Sequence, residues 1–285
     1  MLSNFDFASF EHKAVLNGYS IRYWDSGGDK PTVLLCGGVG SSAEIWALQF
    51  ASLSSLFRLI AWDYPGHGLS SGITGKESLE TLVNIGCELV RHCAIGRFHI
   101  VGNSLGVAIA VRLCDKLPDQ VLSMGLLNGA TLGRDTPTAF KLMSMPLVGR
   151  LLTRPGKLAY QNQCRAIFFA SNTIHPFILN AIYRNSMSLA SQQGLRHFIK
   201  CITTVTGQRP AMIKQTFDLL LKHQPATWLA HGDQDKVLPA AHSDALRKAA
   251  PFTTIYRLEN CGHTPQAEQP AIINQLIEQA VLGKY

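Results

Sequence analysis

A chain of 285 residues that is 46% hydrophobic, with 24 glycines and 13 prolines, can bury one large core, and its composition excludes a disordered or low-complexity protein. Its seven cysteines are odd in number and include no C-x-x-C pair, so they read as reduced thiols rather than a disulfide framework or zinc site. The formal charge of +7 admits anionic partners, but no recognition motif or basic-aromatic alternation supports nucleic-acid binding.

The opening residues, MLSNFDFASFEHK, carry neither a basic start nor a continuous apolar run, and no later run is long enough to span a bilayer. A soluble cytoplasmic protein is expected. HKAVL (12–16) and YSIRYWD (19–25) flank Asn17 and Gly18, the turn chemistry of an antiparallel hairpin at a sheet edge. VLLCGG (33–38), FRLIAWD (57–63), FHIVGN (98–103), VLSMGLLN (121–128), ATWLAHGD (226–233) and TTIYRLE (253–259) are short apolar runs, most of them ending in Gly, Asn or Asp, and read as buried parallel strands. Helical patterns lie between most of them: SLETLVNIGCELVRHC (78–93), SLGVAIAVRLCDKL (104–117) and AHSDALRKAA (241–250). This alternation predicts an α/β fold with a doubly wound, mostly parallel sheet, whose active site gathers at the carboxyl ends of the strands.

The alternation stops after Gly129 and resumes near Pro225, with helical stretches such as AIFFASN (166–172) and HPFILNAIYRNSMSLASQ (175–192) in the gap. We expect a helical cap over 131–224, inserted between core segments 1–130 and 225–285 and seated over the active-site face. That segment holds twelve Lys and Arg against Asp135 and Asp218, a net +10 that leaves −3 on the rest. The charge fits an anionic partner, such as an acidic carrier protein or a coenzyme A phosphate, and equally a solvated cap surface. An anionic membrane surface is a third option, with no defined amphipathic basic helix in its favour.

Gly102-Asn103-Ser104-Leu105-Gly106 fits G-x-S-x-G at a strand-to-helix junction. A serine in such a turn has strained backbone, and side chains two positions away on either side would collide, which glycines avoid. A hydroxyl nucleophile needs a base and the base an orienting acid. His263 in NCGHTPQAEQP follows the final strand, and Asp235 in HGDQDKVLP follows the preceding one. Asp233 lies two residues from Asp235 and competes with it for the acid's role, while Asn128, after an earlier strand, is neutral. His67 and His231 read as hydrogen-bonding braces, Cys261 as a buried thiol, and Trp46, Phe168 and Phe169 chiefly as packing residues. No metal-ligand spacing, G-x-G-x-x-G or P-loop occurs, so no cofactor is implied.

From about Tyr19 to Ala280 the sequence resembles the α/β-hydrolase superfamily with an inserted cap. Besides the elbow, CGGVGSSAEIW (36–46) is similar to that family's H-G-x-x-G-S-x-x-x-W loop and DYPGHGLS (63–70) to its D-x-x-G-x-G-x-S loop. The acid and histidine loops match as well, in the order Ser104, Asp235, His263. The resemblance implies an oxyanion hole from the backbone N–H groups of Gly38 and Leu105. Cys36 stands where the family usually has histidine, and Val107 where many members have a second glycine after the elbow.

The resemblance further implies a serine hydrolase that cleaves a small-molecule carboxylic ester or thioester through an acyl-enzyme, the acyl group free or borne by an acyl carrier protein. One alternative is hydrolysis of a carbon-carbon bond in a dienoate ring-cleavage product, with a cap arginine on the substrate carboxylate. Another is a ligand-binding relative without turnover. Serine at the elbow argues against dehalogenases and epoxide hydrolases, whose nucleophile is aspartate.

Overall fold

In the computed structural model, which describes residues 5–284, β1 (Glu11–Leu16) and β2 (Tyr19–Asp25) form an antiparallel hairpin. Asn17 and Gly18 both have positive φ, 49° and 80°, the turn backbone that Asn-Gly favours. β3 (Thr32–Cys36), β4 (Arg58–Trp62), β5 (Phe98–Asn103) and β6 (Val121–Leu127) follow. Two short strands, β7 (Thr203–Thr204) and β8 (Gly207–Gln208), pair only with each other, and β9 (Ala226–Gly232) and β10 (Thr254–Leu258) return to the main sheet. The eight-stranded sheet has the order β1-β2-β4-β3-β5-β6-β9-β10 and is parallel from β4 to β10.

Buried on both faces, these strands alternate which core they feed. Leu34, Ile60, Ile100, Leu126 and Leu229 point into one apolar cluster, with α2 (Leu79–His92) and α3 (Leu105–Lys116). Val33, Leu35, Leu59, Val101 and Trp228 point into the other, with α1 (Ala47–Leu53) and the C-terminal helix. The apolar continuity of the strands in the sequence has this two-sided burial as its cause.

Strand order positions the site. After β3 the chain steps to β4 on one side, and after β5 it steps to β6 on the other, so the connections diverge between β3 and β5. A crevice opens where such connections part. Cys36 and Gly102 are register partners there, which puts the loop containing Gly38 beside Ser104.

Between β6 and β9 the chain leaves the sheet and forms α4 (Thr138–Met143), α5 (Pro146–Leu152), α6 (Lys157–Ile167), α7 (Pro176–Met187), α8 (Leu189–Ile202) and α9 (Pro210–His223). α9 packs against α3 and so completes a core layer, while α4, α6 and α7 stand over the crevice. Two details differ from the sequence expectation. AIFFASN is α-helical only to Ile167, because Phe168 turns extended and enters the core, and only a 3-10 turn follows at Ser171–Thr173. The 175–192 stretch breaks at Ser188, whose hydroxyl accepts the Ser191 N–H and starts a new helix.

α8 is pressed onto the core. A Cβ on Gly194 would lie 2.1 Å from the Gly66 carbonyl oxygen, so the helix and the 63–70 loop meet backbone to backbone. α7 is held by ions and amides instead: Arg184 Nη2 lies 3.1 Å from Glu44 Oε1, and Asn185 donates to Ser42 Oγ at 3.1 Å. Glu44 in turn pairs with the buried Arg22 at 3.1 Å. Beyond β9 come α10 (Ala241–Ala249), α11 (Pro265–Glu268) and α12 (Pro270–Val281), the last closing the second face.

Candidate active site

Ser104 sits between β5 and α3 with φ 55° and ψ −115°, a backbone conformation that costs about 1–3 kcal/mol for a residue with a side chain. Its surroundings enforce it. A Cβ on Gly102 would lie 2.4 Å from the Gly106 oxygen, and one on Gly106 would lie 2.0 Å from the Cys36 oxygen. The two glycines of the motif therefore let β5, α3 and the end of β3 converge, and that convergence holds the serine at the crevice.

The Gly38 carbonyl accepts from Ser41 N–H and Oγ at 3.2 and 2.7 Å, and the Gly37 carbonyl accepts from Tyr64 at 2.8 Å. With those carbonyls engaged, the Gly38 N–H makes no hydrogen bond among the described residues, and Leu105, at the first position of α3, has no intrahelical acceptor. Gly38 stands close to Ser104: a Cβ there would be 3.2 Å from Ser104 Cβ.

His263 Nδ1 lies 2.8 Å from Asp235 Oδ2. A carboxylate only accepts, so His263 donates to it through Nδ1–H. The Asp235 carboxylate is wholly buried and saturated: Oδ1 accepts from the backbone of Val237 and Leu238 at 2.7 and 3.0 Å, and Oδ2 also accepts from Asn128 at 2.6 Å. Burial alone would raise its pKa. The charge of His263 and hydrogen bonds from His231, His263 and Asn128 outweigh that, holding the carboxyl well below the usual carboxylate range.

Ser104 and His263 line one small cavity of about 40 Å³ with Gly38, Val39, Phe140 and Ile167. No hydrogen bond joins Ser104 Oγ to the His263 ring among the described residues; such contacts often tighten only with substrate bound. A larger cavity of about 210 Å³ lies between α4, α6 and α8 and shares Val39, Phe140, Gln163 and Ile167 with the first. Met143, Leu152, Ala166 and Leu195 make it apolar, and neither lining includes a Lys or Arg. Among the described residues no group of His, Cys, Asp or Glu could hold a metal ion.

Several neighbours act as braces. His231 accepts from Ser243 at Nδ1 (2.6 Å) and donates from Nε2 to the Leu238 carbonyl at 3.0 Å, which fixes the loop bearing Asp235. His67 contacts the Pro65 carbonyl through Nδ1 at 3.1 Å, and burial lowers its pKa to about 4. Trp46 and Cys261 are buried, and burial pushes the Cys36 thiol up to about 12, leaving it protonated. Phe168 is core, and Phe169 is 43% exposed; neither lines either of these two cavities. The sequence marks Asn128 only as a neutral occupant of an acid position, yet it donates to both Asp235 and the Gly262 carbonyl and accepts from Gly232 N–H. Its one signal in the sequence is its place directly after a strand; its φ of 45° is a conformation Asn tolerates better than most residues.

A sequence model of the alpha/beta hydrolase family matches residues 33–276. The chain belongs to the alpha/beta hydrolase family. Among its relatives is the dihydrolipoyllysine-residue acetyltransferase component of the acetoin cleaving system of Cupriavidus necator, 24% identical, with 98% of this chain and 71% of that one covered. A 2-hydroxy-6-oxononadienedioate/2-hydroxy-6-oxononatrienedioate hydrolase of Pseudomonas sp is 23% identical, with 92% of this chain and 91% of that one covered. A solved thermophilic esterase from Thermogutta terrifontis superposes with a TM-score of 0.76 at 20% identity, covering 96% of this chain and 98% of that one. Among the described residues of this chain, no helix is long and apolar enough to cross a membrane.

Proposed function

We propose that the protein is a serine hydrolase of carboxylic esters whose acyl group is apolar. Ser104 Oγ attacks the ester carbonyl as His263 Nε2 takes its proton, with Asp235 holding the ring and stabilising the imidazolium. The oxyanion that forms is met by the N–H groups of Gly38 and Leu105, each worth about 3 kcal/mol in the transition state. His263 then passes its proton to the departing alkoxide. Water, deprotonated by the same ring, releases the carboxylic acid and restores Ser104.

The observation that carries this reading is the character of the space behind Ser104, an apolar cavity without Lys or Arg that shares four lining residues with the serine's chamber. It suits an alkyl chain. Cleavage of a dienoate carbon-carbon bond, the reading that the Pseudomonas relative's dienedioate substrate would favour, would bring a substrate carboxylate that no cation in either lining meets. Arg184, the cap arginine tied to the 42–44 loop, is committed to Glu44. Ester cleavage is therefore the better fit.

The test is turnover of nitrophenyl esters of graded acyl length, together with labelling by a fluorophosphonate. We expect kcat/KM to rise with acyl length until the cavity is full. Ser104→Ala should remove at least about 10⁴-fold of kcat and all of the label. Labelling elsewhere, or loss of a coloured dienoate without ester turnover, would overturn it.

A further inference from the structure

The inserted helices present a face that the hydrolytic site does not use. On α5, Leu147 is 79% exposed and Leu151, one turn on, is 58% exposed; Leu158 at the start of α6 and Leu189 at the start of α8 are 66% and 61% exposed. Isolated exposed leucines are ordinary, but these four lie on three helices of one insertion, and Leu189 lines a depression with Arg150 and Arg154. Arginines stand among them. Arg150, Arg154, Arg196, Thr153, Gln193 and Leu189 line one open depression. A second depression shares Arg196 and Gln193 and continues to Lys200.

No acidic side chain neutralises these cations. The chain has no Asp or Glu between Asp135 and Asp218, and among the described residues Arg150, Arg154, Lys157, Arg196 and Lys200 form no ion pair. Arg196 is fixed by donation to Thr153 Oγ1 at 3.0 Å, and its pKa is lowered by burial and by the charge of Arg150. Like charges held together without a counter-ion suit an anion. Leu152 connects this face to the site, being both 40% exposed and part of the apolar cavity wall.

We propose that α5 and the starts of α6 and α8 form a docking surface for an anionic phospholipid bilayer, with Leu147, Leu151, Leu158 and Leu189 entering the acyl region and Arg150, Arg154 and Arg196 meeting headgroup phosphates. An amphipathic face of this kind lies in the plane of the interface and draws on both terms, apolar burial and attraction to anionic lipid. An acidic carrier protein would meet the cations but would need a matching apolar surface for the leucines, whereas acyl chains take them at any spacing. Docking would also bring the Leu152 end of the cavity against lipid chains; that last step alone rests on the ester-hydrolase reading, whereas bilayer binding does not.

The experiment is vesicle co-sedimentation of the full chain carrying Ser104→Ala, so that binding is read without turnover. Vesicles of phosphatidylcholine alone are compared with vesicles containing about 30% phosphatidylglycerol, where basic residues near the surface should add to binding. We expect partitioning onto the anionic vesicles at least about tenfold above the neutral ones, weakened by salt. Leu147→Ser with Leu151→Ser and Leu158→Ser should lower it about tenfold or more, as should Arg150→Gln with Arg154→Gln. In the active enzyme both sets should leave the melting temperature and the hydrolysis of a soluble short-chain ester unchanged. Absence of binding to anionic vesicles overturns the proposal. So does binding untouched by the leucine changes, which would mark a purely electrostatic surface for an acidic protein. Protection by inorganic phosphate without vesicle binding would make it a soluble-phosphate site and overturn it too. Loss of ester turnover in the active enzyme with vesicle binding intact would instead fault the hydrolytic reading alone.

Discussion

Around Ser104 the chain is pressed against itself, with the space for a Cβ at Gly102 and Gly106 already taken by carbonyl groups; along α5, by contrast, Leu147 and Leu151 stand in open solvent. The first region fixes Ser104 by backbone contacts at Gly102 and Gly106. The second is built of side chains that can be exchanged without moving the backbone. On the proposed reading, enclosure sets the reaction chemistry and replaceable surfaces set the choice of substrate. Rigid placement of the first kind is what a strained nucleophile requires.

The contrast can be broken most severely at Gly106. Gly106→Ala sets a methyl 2.0 Å from the Cys36 oxygen, a backbone atom that cannot step aside, so we expect a loss of about 3 kcal/mol or more in urea unfolding together with the loss of ester turnover. Gly96→Ala, where a Cβ meets nothing within 4 Å, is the control and should change neither. If Gly106→Ala unfolded like the parent and kept its rate, enclosure would not be what holds the elbow.

A smaller break is expected at Asn128. Asn128→Ala removes donors from Asp235 and the Gly262 carbonyl, and we expect kcat to fall about 10–100-fold with KM little changed, as when a partner that orients a catalytic ligand is lost. A fall in stability with kcat intact would show a purely structural brace.

Acid should act on the core. Burial is the main cause lowering His67, His99 and His242 to about 4, and all three lie outside the helices that cover the crevice. The unfolded chain takes up protons near the ordinary value of about 6.5 while the folded chain refuses them, so stability is complete above that pH and declines toward pH 4. Each histidine contributes up to about 1.4 kcal/mol per pH unit in that window. Unfolding midpoints measured from pH 7 to pH 5 should fall steadily, and less steeply for His99→Gln, whose amide can still bond Ser123. A flat profile for the parent would mean that these rings are not held neutral.

The core was legible because its constraints leave marks in the residues themselves. Gly102 and Gly106 appear in the sequence as the only residue type that tolerates the approach, and the two-sided burial of the sheet appears as continuous apolar runs. His263 and Asp235 stand out in the sequence as residues following strands, and the structure brings them to 2.8 Å. Asn128 escapes such a reading because an amide donor to a distant carboxylate has no local pattern. The exposure of Leu147 and Leu151 is hidden for a related reason: PLVGRLL has the same composition whether its leucines face a core or water, and only the neighbouring helices decide.

The contact between Gly194 and Gly66 bears on how the crevice's cover can be exchanged among relatives. A graft bounded at residues 131 and 224 would carry α8 with it and ask a foreign helix to match the 63–70 loop at a carbonyl 2.1 Å from any added methyl. A graft limited to α4, α5 and α6 leaves that seam in native hands. Chimeras cut on the inner boundary should therefore inherit new substrate ranges as folded proteins, and those cut on the outer one should accumulate as insoluble chains.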